Sequence, residues 1–348
     1  MTVVLQVDPL VPEPDVIARA ANCLRNGGLV AFPTETVYGL GVHALDRDAL
    51  LRLFAAKQRP ANDPLIVHVA SIEDLPPLVV ELPVQARTLA ERFWPGPLTI
   101  VLRRSPAVPD EVTAGLATVG LRVPAHPIAR ALIAAAGVPI AAPSANLFSR
   151  PSPTQAAHVI ADLDGRIDMV IDGGPTMVGV ESTVVDLSQN PAVVLRPGAT
   201  GIDALRELIP NVTLLRSAPS GGALPSPGLL SRHYSPSTPL AIYDGDRDVA
   251  LGLMLRDART LLDEGKRIIV LAYDEDAGDF ADLPVSILPL GSEREPAAVA
   301  TRLYGALRES DQRRGDVIFA RMMAGAHALT TAINDRLRRA SAGRIVRQ

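Results

Sequence analysis

A single cysteine, Cys23, is the only thiol in the 348 residues of this chain, so no intrachain disulfide and no thiolate metal site can form. It stands beside Leu24 in an expected helix and reads as a small buried side chain rather than a reactive group. Aromatic residues reach only 3%, too few for the stacking platforms that hold single-stranded nucleic acid. There is no excess of positive charge either. Lys and Arg number 34 against 38 Asp and Glu, a net charge of −4, which argues against strong non-specific binding to nucleic acid and leaves open only a local basic groove. The longest apolar run, Ala131 to Ala142, is too short to span a bilayer. At the N-terminus, Asp8, Pro9 and Pro12 interrupt any signal-like pattern, so the expectation is a cytoplasmic chain with no membrane contact.

The common nucleotide and metal signatures are missing as well. No G-x-x-x-x-G-K-[ST] occurs. Gly39-x-Gly41-x-x-Ala44 imitates the dinucleotide fingerprint, but it starts several residues after its strand and no acid follows at the tip of the next one. The six histidines (43, 68, 126, 158, 233 and 327) show no zinc-ligand spacing.

What is present is a chain able to bury a core, with 47% hydrophobic and 21% charged residues, and long enough for about two domains. Its 26 glycines and 31 prolines imply many short elements joined by defined turns. The stretch from Leu29 to Val69 organises the rest. An apolar strand (Leu29 to Phe32) enters a Pro-Thr-Glu-Thr turn and a glycine-punctuated loop, Tyr38-Gly39-Leu40-Gly41. A helix with Leu50, Leu53 and Phe54 on one face follows and ends at Lys57-Gln58-Arg59-Pro60. A second strand, Leu65 to Val69, contains His68. Hydroxyls, backbone and two cations in one strand–loop–helix–strand unit suit a polyanion.

A first helix is expected from Asp15 to Asn26, with Pro14 at its start and Gly27 just past its end. Ala86, Leu89, Ala90 and Phe93 mark another helix face, stopped by Trp94-Pro95-Gly96-Pro97. Strands are expected at Leu98 to Leu102, around Val119, Leu121 and Val123, and at Val138 to Ala142. Others fall at Met169 to Ile171, Thr183 to Leu187 and Ala192 to Leu195, and a helix at Pro127 to Ala136. Pro143-Ser144-Ala145-Asn146 lies at a strand's C-terminal end, where open α/β sheets hold ligands.

Three segments are expected: a catalytic domain over 1–210, a linker or lid over 211–239 rich in Ser, Gly and Pro, and a smaller domain over 240–348. In the last, strands near Leu240, Ile268, Val285 and Val317 alternate with helices near Val249 to Leu262, Pro296 to Ser310 and Ala328 to Ala340. That alternation indicates a parallel α/β sheet.

Taken singly, the candidate residues have ordinary readings. Lys57 and Arg59 suit the negative end of a helix dipole. Arg122 in an apolar strand needs an anion, which an internal Asp or Glu supplies as well as a substrate does. Ser144 and Ser182 fit turns or caps, and Arg196 fits a surface turn. Together they point elsewhere. The run Phe32-Pro33-Thr34-Glu35-Thr36-Val37-Tyr38-Gly39-Leu40-Gly41 resembles the signature of the YrdC-like family. So do Lys57-x-Arg59-Pro60, Pro64-Leu65-Ile66-x-His68, Gly120-Leu121-Arg122-x-Pro124, Pro143-Ser144-Ala145-Asn146, Ser182-Thr183-Val184-x-Asp186 and Leu195-Arg196-Pro197-Gly198. They occur in the family's order across roughly the first 200 residues. The later Arg232-His233-Tyr234-Ser235-Pro236 and the C-terminal segment resemble the longer, two-domain form, the L-threonylcarbamoyladenylate synthases.

The resemblance implies an N-terminal twisted mixed sheet flanked by helices and a smaller Rossmann-like parallel α/β domain. It also implies a nucleotidyltransferase that converts L-threonine, bicarbonate and ATP, with Mg²⁺, to threonylcarbamoyl-AMP and pyrophosphate. The product would pass to a separate tRNA threonylcarbamoyl transferase. Carried over by motif, Thr36, His68, Arg122 and Ser182 hold threonine, with a backbone contact at Ala142. Lys57, Arg59, Thr118, Ser144, Ser152 and Arg196 hold ATP, Lys57 and Arg59 being the catalytic pair, and Tyr234 closes over the nucleotide from the linker. One departure stands out. The family pattern has Asn immediately before Pro-Leu, whereas this chain has Asn62 and then Asp63. A carboxylate repels a triphosphate unless Mg²⁺ lies between them, so either Asp63 or Asn62 takes the ATP contact. The rival readings are a double-stranded RNA-binding module without catalysis, in keeping with weak RNA binding by related domains, and a carbamoyl-phosphate-type acyltransferase.

Overall fold

A computed structural model describes residues 1–215, 223–230 and 232–347. The expected linker residues 216–222, the single position Ser231 and the terminal Gln348 lie outside the described residues. The chain divides into two compact units, Met1–Phe148 with Ser152–Leu230, and Ser149–Pro151 with Ser231–Gln348. The division falls inside the 211–239 stretch, and the triplet 149–151 goes with the second unit.

In the first unit the chain begins with β1 (Val3–Gln6), α1 (Pro14–Arg25), β2 (Val30–Pro33), β3 (Tyr38–His43), α2 (Arg47–Lys57) and β4 (Ile66–His68). It continues through α3 (Val84–Phe93), β5 (Leu98–Arg103), α4 (Asp110–Thr113), β6 (Thr118–Arg122), α5 (Pro127–Ala136) and β7 (Ile140–Ala141). The last elements are α6 (Ala156–Leu163), β8 (Met169–Asp172), β9 (Thr183–Asp186), β10 (Val193–Arg196), α7 (Ile202–Arg206) and β11 (Thr213–Leu214). The strands form one mixed sheet in the order β1-β8-β2-β3-β7-β4-β6-β5-β9-β10-β11. Side chains alternate along a strand, and β2 shows the consequence. Leu29 and Ala31 join a core with Leu50, Leu53, Leu89 and Val159, while Val30 and Phe32 join another with Ile17, Leu24, Leu132 and Ile133. Helices therefore cover both faces of the sheet.

Local chemistry sets the helix ends. The Asp46 side chain accepts from the Ala49 amide at 3.1 Å to start α2, and Gln58 in a left-handed conformation ends it. Pro127 follows His126, whose Nδ1 accepts from the Ile128 amide at 3.2 Å, to start α5, and Gly137 with φ 64° ends it. Cys23 is half-buried rather than fully buried, and burial pushes its thiol up.

One expectation is corrected here. Tyr38 to Gly41 is not a loop but the start of β3, antiparallel to β2 with Ala31 opposite Leu40 and Phe32 opposite Gly39. A Cβ on Gly41 would lie 2.7 Å from the Phe32 ring and 3.0 Å from Ile140 Cγ2. The glycine leaves room for side chains of the two neighbouring strands, Phe32 of β2 and Ile140 of β7, and is not there for flexibility.

The second unit contains β12 (Leu240–Tyr243), α8 (Arg247–Asp263), β13 (Ile268–Tyr273), β14 (Ser286–Gly291), α9 (Pro296–Gln312), β15 (Val317–Arg321), α10 (Ala328–Ala340) and β16 (Ile345–Val346). Its strands pair in parallel in the order β14-β13-β15-β12-β16. Tyr243, Met254, Phe280 and Phe319 lie in its core. At the C-terminal end of β15 the buried Arg321 is held by Asp276 at 2.6 Å and Glu293 at 2.7 Å, and lies over the Tyr273 ring at 4.6 Å. No helix among the described residues is long and apolar enough to cross a membrane.

Candidate functional site

The site in the first unit is built where α2 ends and the central strands stop. Lys57, the last residue of α2, is 1% exposed. Its Nζ donates to the carbonyls of Ser144 at 2.5 Å and Asn146 at 2.6 Å, so the ammonium fastens the Pro143–Asn146 loop. Burial, and then the neighbouring Arg59 charge, hold its pKa well below the ordinary lysine range.

Two residues on, Arg59 turns back onto its own loop. Its Nη2 donates to the Pro64 carbonyl at 2.7 Å and its Nε to the Asp63 carbonyl at 3.2 Å. The Asp63 carboxylate lies 3.0 Å from Nη2 and has no exposed surface. Neither of its oxygens takes a hydrogen bond of good geometry. Burial pushes its pKa up, against the fields of Arg59, Lys57 and Arg196, so three cations converge on this one carboxylate.

On the adjoining strands, register places His68 of β4 beside Arg122 of β6. Arg122 is buried, and the anion it requires is Glu35, 2.6 Å from Nη2. The same nitrogen donates to the Thr36 hydroxyl at 3.1 Å, and Nε donates to the Gly96 carbonyl at 3.2 Å. Glu35 also accepts from the Ala125 amide at 3.1 Å. The His68 imidazole is buried with Nδ1 unpartnered. Burial and the Arg122 charge push its pKa down to about 3, which keeps the ring neutral. Ala142 continues the adjacent β7, its amide donating to the Ile66 carbonyl at 3.0 Å.

The remaining side of the site comes from β9, β10 and residues 223–230. Ser182 is fully buried, its hydroxyl 2.8 Å from that of Thr99 on β5. Arg196 donates through Nε to the Ser182 carbonyl at 3.1 Å, through Nη2 to the Ser182 hydroxyl at 3.2 Å and through Nη1 to the Pro227 carbonyl at 3.1 Å. The Leu224 amide donates to the Asn62 carbonyl at 3.3 Å. Thr99, Thr118, Gly120 and Val184, with Pro225 to Pro227, line a narrow cleft. The part of the expected lid that lies in this unit is thus docked on Asn62 and Arg196.

Of the other expected residues, Ser144 bridges Gly39 across the end of β3. The buried Ser152 donates to Glu181 at 2.5 Å. Tyr234 belongs to the second unit, buried 4.1 Å from the His233 ring and 5.6 Å from the Tyr304 ring, with the Arg336 guanidinium 5.5 Å from its centroid. Sequence reasoning assigned no role to Glu35, Thr99 or Glu181. Glu35 was signalled by its place in the Pro-Thr-Glu-Thr turn, and Thr99 by a hydroxyl inside the apolar run Leu98 to Leu102.

Chemically, the arrangement offers buried guanidinium and ammonium groups beside hydroxyls and a neutral imidazole. No group of three or more His, Cys, Asp or Glu that could hold a metal occurs among the described residues. The arrangement can bind and orient anions.

Comparison with known proteins agrees. Residues 22–198 match the family of Sua5, YciO and YrdC, described as telomere recombination. Residues 201–342 match the threonylcarbamoyl-AMP synthase C-terminal domain. The threonylcarbamoyl-AMP synthase of Pyrococcus abyssi is 43% identical over 352 residues, covering 100% of both chains. That of Bacillus subtilis is 43% identical over 343 residues, covering 98% of this chain and 97% of its own. Among solved structures, P. abyssi Sua5 complexed with L-threonine matches with a TM-score of 0.93 at 42% identity, covering 100% of each chain. Escherichia coli YciO matches with a TM-score of 0.53 at 26% identity, over 59% of this chain and 100% of its own. The chain belongs to the Sua5–YciO–YrdC family, in the two-domain form that carries the threonylcarbamoyl-AMP synthase C-terminal domain.

Proposed function

We propose that the chain is a threonylcarbamoyl-AMP synthase, joining L-threonine, bicarbonate and ATP to give threonylcarbamoyl-AMP and pyrophosphate for the modification of tRNA. The observation that carries this reading is the end-to-end identity of 43% with a synthase of that name. The chemistry of the site fits it. Bicarbonate delivers CO₂ to the threonine amine as a carbamate with release of water, one carbamate oxygen bonds to the α-phosphorus, and the bond from that phosphorus to the pyrophosphate oxygen breaks. Such a displacement needs no protein nucleophile. It needs positioning and charge compensation, which buried cations supply.

In this reading Arg122, Thr36, His68 and Ser182, with the Ala142 backbone, hold threonine. Arg122 has Nε and Nη2 engaged, and Nη1 takes none of those bonds, which suits a further carboxylate. Lys57, Arg59, Arg196, Thr118, Ser144 and Ser152 hold ATP. Mg²⁺ enters with ATP as part of that substrate. A tRNA-directed transferase consumes the product.

The test is pyrophosphate release. It is expected only when ATP, threonine and bicarbonate are present together. Arg59→Ala is expected to lower it by about 100-fold or more, the scale for loss of a transition-state charge partner. Arg122→Ala is expected to raise the threonine KM far more than the ATP KM. Release that is indifferent to threonine or bicarbonate rejects the synthase reading, and an unchanged threonine KM rejects the assignment of Arg122. A carbamoyl-phosphate-type acyltransferase would release no pyrophosphate from ATP in this assay.

A further inference from the structure

Two buried carboxylates face the arginines of the site, and they are held differently. Glu35 is tied at both ends, one oxygen to Arg122 Nη2 at 2.6 Å and the other to the Ala125 amide at 3.1 Å. It is part of the frame that orients Arg122. Asp63 has no such tie. It is 0% exposed, its carboxylate is 3.0 Å from Arg59 Nη2, and neither oxygen takes a hydrogen bond. A buried carboxylate normally collects several donors, so what holds Asp63 is charge alone. Lys57 and Arg196 add to that field, and the Leu224 amide closes over the neighbouring Asn62.

We propose that Asp63 is the resident counter-anion of this cation cluster: it neutralises Arg59 while the site is empty and opposes the nucleotide's phosphates when they arrive, so the charge at position 63 sets nucleotide affinity. The inference rests on the reading of the site as a nucleotide site. It gives the Asn62-Asp63 departure a consequence. An anion entering next to Asp63 must share Arg59 with a carboxylate that burial prevents water from screening. Removing that charge leaves Arg59 without its paired carboxylate and Lys57 with the field of Asp162 alone, and a phosphate then supplies what the empty site lacks.

The experiment is calorimetric binding to the full chain of a non-hydrolysable ATP analogue, of pyrophosphate and of adenosine, each with Mg²⁺ and with EDTA. It is carried out on the wild type, Asp63→Asn and Asp63→Ser, with threonine affinity as the check that each variant is folded. Both variants are expected to bind the analogue and pyrophosphate about tenfold more tightly, roughly 1.4 kcal/mol, with adenosine unchanged. Adding Arg59→Ala is expected to erase the gain. Equal or weaker phosphate binding overturns the proposal, and weakening seen only with Mg²⁺ overturns it in favour of Asp63 as a metal ligand. Threonine- and bicarbonate-dependent pyrophosphate release by the wild type tests the underlying reading separately, because that result does not depend on position 63.

Discussion

Burial decides the state of each ionisable group in the site, and burial is what a sequence shows least. His68 illustrates the point. Its place in an apolar strand is legible, but a structural imidazole and a ligand contact look alike there. Only the packing shows a ring with Nδ1 unpartnered and a pKa pushed down to about 3 by burial and by Arg122. The linkage has a definite sign. The unfolded chain protonates His68 near its ordinary value of 6.5, whereas the folded chain does so only near 3. Between those values the unfolded state binds more protons, so stability rises with pH in that window and falls on acidification. Denaturant titrations from pH 7 to pH 4 are expected to show a slope in wild type steeper by about 1.4 kcal/mol per pH unit than in His68→Asn. Parallel slopes would mean that the folded protein accepts the proton easily. Arg122 makes the same point about legibility. Its need for an anion follows from an Arg in an apolar strand, but the choice of Glu35, at 2.6 Å, is a contact across 87 residues of chain that no local pattern encodes.

At the scale of elements, periodicity located most helices and strands, because amphipathic faces repeat at 3.6 or 2 residues. It failed where close packing overrides composition. Tyr38 to His43, with two glycines, has the composition of a loop, yet it is a strand because the Phe32 ring occupies the space a side chain would need. The short pieces β1, α4, α6, α7, β11 and β16 escaped for a related reason: two to eight residues carry too little pattern to stand out. The glycine argument predicts opposite outcomes at two positions. Gly41→Ala is expected to cost about 1–3 kcal/mol through overpacking, whereas Gly252→Ala within α8, where a Cβ meets nothing within 4 Å, is expected to stabilise by about 1 kcal/mol through helix propensity. Urea unfolding reads both as shifts in midpoint at constant slope. A neutral Gly41→Ala would show that the segment is the flexible loop its composition suggests.

For the whole molecule, the sequence shows which elements alternate but not how the strands are ordered. In the first unit β8 pairs on one side with β1 and on the other with β2, partners more than 130 residues away that only the folded sheet brings together. Charge is different, because its balance is legible from composition and the structure shows how it is spent. The net charge is −4, and several of the exposed arginines are matched by acids. Arg47 pairs with Glu111, Arg52 with Asp168, Arg206 with Asp203, Arg267 with Asp316, Arg313 with Glu309 and Arg347 with Asp244. Such surface pairs add little stability, but each removes a cation from the supply available to phosphates outside the site. Double-stranded RNA should therefore bind only non-specifically, with a dissociation constant no tighter than about 10⁻⁶ M at physiological salt. Fluorescence polarisation across a salt series measures this directly. Tight binding whose logarithm falls steeply with the logarithm of salt, about 0.9 per phosphate neutralised, would restore the RNA-binding reading.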